Sequence, residues 1–143
     1  MGAEATPRRR AAHRVIVLLD STVLIDHLRG RPAADHVERL ALSGDVCATT
    51  AINVEEIVRG LRADEQAAAD ALFGGLMILP IGLEEGTRAG IWRREFAARG
   101  ITLSQADCLI AAAAHVAGAR LATGNPTDFP MSEIEVEEWP VGR

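Results

Sequence analysis

At 143 residues and 15.2 kDa the chain suits one domain, able to bury about two-thirds of the surface its unfolded chain exposes. Only 3% of residues are aromatic and none is Tyr, so Ala, Leu, Ile and Val must build the core, and aromatic base stacking is disfavoured as a binding mode. The 15 basic residues are all Arg and are outnumbered by 20 acidic ones, which excludes P-loop and Schiff-base lysine chemistry, leaves phosphate contacts to Arg or backbone amides, and disfavours nucleic-acid binding unless carboxylates hold cations that reverse the local sign.

Residues 1–14 carry Pro7 and four arginines without hydrophobic periodicity and read as a flexible basic tail ahead of a single domain over 15–143. No stretch reaches the 18 or so apolar residues of a membrane span, so no membrane contact and a cytoplasmic location are expected. Val15–Leu19 is an unbroken apolar run, as in a parallel strand covered on both faces, and it stops at Asp20, Ser21 and Thr22. Thr22–Leu28 follows as a helix with Val23, Leu24 and Leu28 on one side, then Ala33–Leu42 as a second, with Val37, Leu40 and Ala41 inward. Val46–Ala48 is a short buried strand from which Thr49 and Thr50 lead out.

Ile52–Leu61 and Asp64–Phe73 read as helices, and Leu76–Leu79 as a third strand. Glu84–Ala98 is a longer helix with Ala89, Trp92 and Phe96 inward, joined by Leu83, and closed by Gly100. Asp107–Ala117 is nearly all apolar and therefore buried on most sides; Arg120–Thr123 is a fourth strand and Ile134–Val136 an edge strand. Helix-rich connections between strands predict a three-layer α/β/α domain around a mainly parallel sheet. Cys47 and Cys108 sit in apolar surroundings without metal spacing and read as buried spectator thiols; no disulfide framework is implied.

Three acids occupy comparable places: Asp20 after the first strand, Glu56 in the helix after the second, and Asp107 at the start of the buried helix. Parallel strands would bring them to one edge, where ligands of open α/β sheets gather. Clustered carboxylates raise one another's pKa and are best tolerated around a divalent cation; oxygen-only ligands suit Mg²⁺, with Mn²⁺ as a substitute. The competing reading is helix capping, for Asp20 or Ser21 directly, for Glu56 through Asn53-x-x-Glu56 and for Asp107 through Ser104-x-x-Asp107. Asn125 or Asp128, in the turn after the fourth strand, would complete the site or belong to an ordinary Asn-Pro turn. His13 lies in the tail, His27 and His36 fall on exposed-looking helix faces, and His115 reads as a core residue. Arg59, Arg62, Arg93 and Arg94 are the candidate phosphate contacts, or simply a solvated face.

The segments LLDST (18–22), NVEEIVRG (53–60), SQADCLIAAAA (104–114) and ATGNPTDF (122–129), in this order and spacing, resemble the PIN-domain ribonucleases, most closely the VapC-type toxins of VapBC toxin-antitoxin pairs. The resemblance implies a five-stranded parallel sheet and an Mg²⁺-dependent endoribonuclease leaving 5′-phosphate and 3′-hydroxyl ends. The family's acids fall on Asp20, Glu56 and Asp107, its first-strand hydroxyl on Ser21 or Thr22, and its late Thr on Thr123. At the family's fourth acid this chain has Asn125, with Asp128 three residues on. The implied partners are a VapB-type antitoxin, an RNA of the tRNA or rRNA class and a second copy of the chain in a homodimer. An apolar groove from Leu24, Leu28, Val37, Leu40, Ile57 and Leu61 would receive the antitoxin.

The alternative is a catalytically inactive PIN-like module that binds RNA or protein; such a module would usually have lost one of the three acids, and none is lost. A phospho-receiver would need paired first-strand acids, a phospho-acceptor Asp and a late Lys. A haloacid-type phosphatase would need Asp where Thr22 stands.

Overall fold

The computed structural model describes residues 14–142; the expectations for the basic tail and for His13 lie outside them, Arg14 excepted. Five strands, β1 (Ile16–Leu19), β2 (Val46–Thr50), β3 (Met77–Leu79), β4 (Arg120–Thr123) and β5 (Val136–Glu138), form one parallel sheet in the order β3-β2-β1-β4-β5. Six α-helices connect them: α1 (Ser21–Leu28), α2 (Ala33–Leu42), α3 (Ala51–Arg59), α4 (Gln66–Gly74), α5 (Leu83–Ala98) and α6 (Gln105–Ala117).

The side-chain period of two divides the core into layers. Leu18 joins Trp92, Phe96, Ile110 and Ala111–Ala114 under α5 and α6, whereas Val17 and Leu19 join Val23, Leu24, Val37 and Ile57 under α1, α2 and α3. β1 is thus buried on both faces, as its unbroken apolar run requires. It lies between β2 and β4, so the crossovers leave it in opposite directions, and its carboxyl end opens at the switch point of the sheet.

Several local expectations are corrected. β2 runs on through Thr49 and Thr50, both fully buried. β5 lies two residues later than Ile134–Val136, because Ile134 enters the core from a turn while Glu137 on the edge strand pairs with Arg120 at 2.9 Å. Leu83 opens α5 and is 88% exposed, beyond the reach of the layer below it. Ala41 is exposed, with Ala33 buried on α2 in its place. His115 is also exposed and meets the Trp92 ring edge-on at 5.8 Å; His27 and His36 are half-buried. Cys108 is buried but Cys47 only half-buried, and both thiols are free. Leu24, Val37 and Ile57 are core residues, which leaves Leu28, Leu40 and Leu61, all half-buried, as the remainder of the expected antitoxin groove.

Candidate metal-dependent nuclease site

β1 ends at Asp20, whose backbone N–H still donates to Ala122 of β4 at 3.0 Å, so the residue is held by the sheet before α1 begins. Asp20 stands at the N-cap of α1, yet its side chain makes no capping hydrogen bond. Its carboxylate is buried and turned to other elements: Asn53 Nδ2 donates to Oδ1 at 3.2 Å, Thr123 Oγ1 to Oδ2 at 2.7 Å and Thr22 Oγ1 to Oδ2 at 3.3 Å. Next to it, Ser21 Oγ donates to Glu56 Oε1 at 2.5 Å and accepts from Asn53 Nδ2 at 3.0 Å.

Glu56 is free for this contact because the α3 cap lies three residues earlier than expected. Thr50 caps α3, its Oγ1 accepting from the Asn53 backbone, while the Asn53 side chain accepts from the Thr50 N–H at 3.3 Å and hydroxyl at 2.7 Å. At α6, Ser104 is the cap and accepts from the Asp107 N–H at 3.0 Å, leaving the half-buried Asp107 carboxylate beside the helix N-terminus. The charges of Asp128, Asp20 and Glu56 all act on Asp107, which places the acids of the three later segments in one electrostatic neighbourhood with the first.

Asn125 is exposed and reaches the network through its backbone, donating its N–H to Thr123 Oγ1 at 3.0 Å. Asp128, also exposed, closes a 3-10 turn and contributes its charge to Asp107. Of the candidate phosphate-binding arginines, Arg93 lies close enough to Cys108, the neighbour of Asp107, to lower that thiol's otherwise burial-raised pKa. Asn53 is the site residue missed in the sequence: it is fully buried and joins Asp20, Ser21 and Thr50. The signal was Thr50 three positions before it, a capping box competing with the one ending at Glu56.

A model of the PIN domain family matches residues 17–130. The chain belongs to the PIN-domain family. Within it, the chain is 33% identical over 115 residues to Ribonuclease VapC19 of Mycobacterium tuberculosis, covering 80% of this chain and 92% of that protein. It is also 33% identical over 118 residues to Ribonuclease VapC10 of the same organism, covering 82% and 89%. The fold matches that of a chain in VapBC2 from Rickettsia felis bound to a promoter DNA fragment, with a TM-score of 0.78 at 22% identity over 88% of this chain and 100% of that one. DNA-bound VapBC from Salmonella typhimurium gives a TM-score of 0.77 at 22% identity, over 88% and 99%.

The donor set of this PIN domain fits a hard cation. Asp20, Glu56, Asp107 and Asp128 supply carboxylate oxygens with no sulfur or imidazole among them. Thr22 and Thr123 donate to Asp20 Oδ2 and Asn53 to Oδ1, and the Ser21 backbone also bonds to this carboxylate. Among the described residues no three His, Cys, Asp or Glu side chains lie together as a ligand cluster, so the acids would have to draw closer to hold an ion.

Burial raises the pKa of Asp20; the Thr123 hydroxyl offsets part of this and the charge of Glu56 adds to it. Asp107 is raised likewise, by burial first, with the Ser104 hydroxyl opposing and the neighbouring acids reinforcing. A carboxyl with a raised folded pKa holds its proton more tightly folded than unfolded. Stability therefore falls as pH rises from the ordinary 3.8 through the raised value, and the ionised pair remains a penalty above it. A cation bound to the ionised acids would relieve that penalty. The melting temperature at pH 7 is expected to rise on adding Mn²⁺ or Mg²⁺, and the rise to shrink as pH is lowered; thermal melts across a pH series check this.

Proposed function

We propose that this PIN domain is a metal-dependent endoribonuclease and the toxin component of a toxin-antitoxin pair, held silent by a VapB-type antitoxin. The observation that carries the reading is the Asp20 carboxylate, buried at the switch point and held by three side-chain donors from α1, α3 and β4, with the charge of Glu56 acting on it and its own charge acting on Asp107. That two VapC relatives bear the name ribonuclease supports the reaction class.

Asp20, Glu56 and Asp107 would hold Mg²⁺ or Mn²⁺, with Asp128 as the fourth acid in place of the family residue that Asn125 replaces. When bound, the metal supplies charge neutralisation at the scissile phosphate and acidifies its water. Thr123, Asn53 and Thr22 fix the Asp20 carboxylate so that its orientation is set before substrate arrives. Ser21 holds Glu56, and Asp107 is half-buried at the start of α6. Arg93, whose charge acts on Cys108 next to Asp107, would be the arginine to meet a substrate phosphate. Antitoxin docking suits a different apolar depression, of about 250 Å³, which shares only the buried Val37 with the expected groove and is lined also by His27, Ala41, Cys47, Leu72 and Leu76. Met77 and Ile78, about half exposed on edge strand β3, suit a homodimer contact.

The purified chain is expected to cut structured RNA in total bacterial RNA with Mg²⁺ or Mn²⁺ and not with EDTA, giving 5′-phosphate ends. Its expression should arrest growth, with relief by Asp107→Asn or by a cognate antitoxin. Toxicity unchanged by Asp107→Asn would instead favour a module that acts by binding alone.

A further inference from the structure

We propose that Trp139–Gly142 is a strap that positions the nuclease site, with Asp26 as its latch; the proposal rests on the nuclease reading above. The strap lies beyond residues 17–130, the part of the chain matched to the family. It leaves β5 where the Trp139 N–H donates to the Thr123 carbonyl at 2.9 Å. The Trp139 side chain is buried over α2, tilted against His36 with ring centres 5.2 Å apart. Val141 then rests on Gly124 so closely that a Cβ at Gly124 would overlap its methyl groups. Gly142 ends the path, its N–H donating to Asp26 Oδ1 at 2.8 Å.

Asp26 is 3% exposed, on the second turn of α1, and its other oxygen accepts from the Ala33 N–H at 2.8 Å. Two backbone donors, one on each oxygen, need a carboxylate: an amide presents only one acceptor and would turn an N–H₂ toward the other donor. The latch therefore ties the strap to the α1–α2 corner. What the strap presses on belongs to the site. The Gly124 N–H donates to Thr22 Oγ1 at 2.9 Å, and Thr22 and Thr123 both donate to Asp20 Oδ2. Holding the Gly124 turn down thus holds two of the three donors that orient Asp20. Neither Asp26 nor Val141 contacts the acids, so both act as positioning residues.

The test uses the full chain as wild type, Val141→Ala and Asp26→Asn. It measures amide hydrogen exchange at Gly124 and Asn125, and cleavage of a fluorophore-quencher RNA carrying a cut site first mapped by sequencing the 5′ ends that the wild type leaves in total bacterial RNA. Both variants are expected to speed exchange at these amides about tenfold or more, while amides of α5 and β2 keep wild-type rates. The kcat should fall about tenfold with KM within about twofold, because misplacing an already bound group slows the chemical step and not binding. Val141→Ala keeps the assay decisive if Asp26→Asn fails to fold. Unchanged exchange at Gly124 in Val141→Ala overturns the strap, and faster exchange with wild-type kcat overturns its positioning role. If wild type cleaves no RNA, the nuclease reading fails, and with it the positioning of catalysis; exchange then separately reports whether the strap holds the turn.

Discussion

Asp20→Asn is expected to abolish RNA cleavage, by about three orders of magnitude or more, without loss of the fold. The activity loss follows from removing the one buried carboxylate that the sheet itself positions; several kcal/mol of metal-supplied transition-state stabilisation depend on it, at about 1.4 kcal/mol per tenfold. Structural tolerance follows from the donors around it. An Asn carbonyl can still accept from Asn53 Nδ2, and the Thr22 and Thr123 hydroxyls, which already accept from the Gly124 and Asn125 N–H groups, can take the new N–H₂ on their second lone pairs, at the cost of their own protons losing Asp20 as acceptor. Because burial raises the Asp20 pKa, its ionised form is a liability in the metal-free protein at pH 7. The variant should therefore melt no lower than wild type without metal and lose most of the increase that Mn²⁺ brings. Equal cleavage by the variant would remove Asp20 from the site.

Asn53→Ala is expected to lower activity about 10- to 100-fold and to weaken Mn²⁺ binding in proportion, the usual scale for a group that orients a metal ligand. Its amide donates to Asp20 and Ser21 and accepts from Thr50, so truncation frees one side of Asp20, loosens the Ser21 hydroxyl that holds Glu56, and leaves the Thr50 hydroxyl without its acceptor. Asn53→Asp should be worse for metal-free folding, since a second buried anion would face Asp20, and this variant should gain more stability from Mn²⁺ than Asn53→Ala. Metal titration by calorimetry beside single-turnover cleavage separates orientation from a general loss of structure. Activity and Mn²⁺ affinity both at wild-type level in Asn53→Ala would show that the amide serves only as the partner of the α3 cap.

The parallel sheet, and the sheet edge to which Asp20 belongs, were legible because they rest on strong periodic signals, whereas the order of the strands across the sheet was not. The unbroken run ending at Asp20, and helices between every pair of early strands, leave little besides a parallel sheet. Asp20, Glu56 and Asp107 were readable from their places after such elements. Asn53 was not, because two overlapping capping boxes share it and only packing shows that Thr50 wins. The C-terminal segment was misread for a related reason: Ile134 looks like a strand residue, but the alternation that would mark Val136–Glu138 is hidden by two acids on a solvent edge. Leu83 and His115 show the same limit, since helix periodicity gives a face but not where the layer beneath it ends.

The 103 positions that separate Asp20 from its closest hydroxyl partner, Thr123, also carry a temporal consequence. β1 pairs with β4 in register from Val17 and Arg120, so the middle of the sheet cannot close until the fourth strand has been made. At about 5–20 residues per second, a ribosome spends about 5–20 s between delivering the first carboxylate and the threonine that fixes it. Throughout that interval the nascent chain carries its acids unassembled, close to the very RNA machinery that makes it.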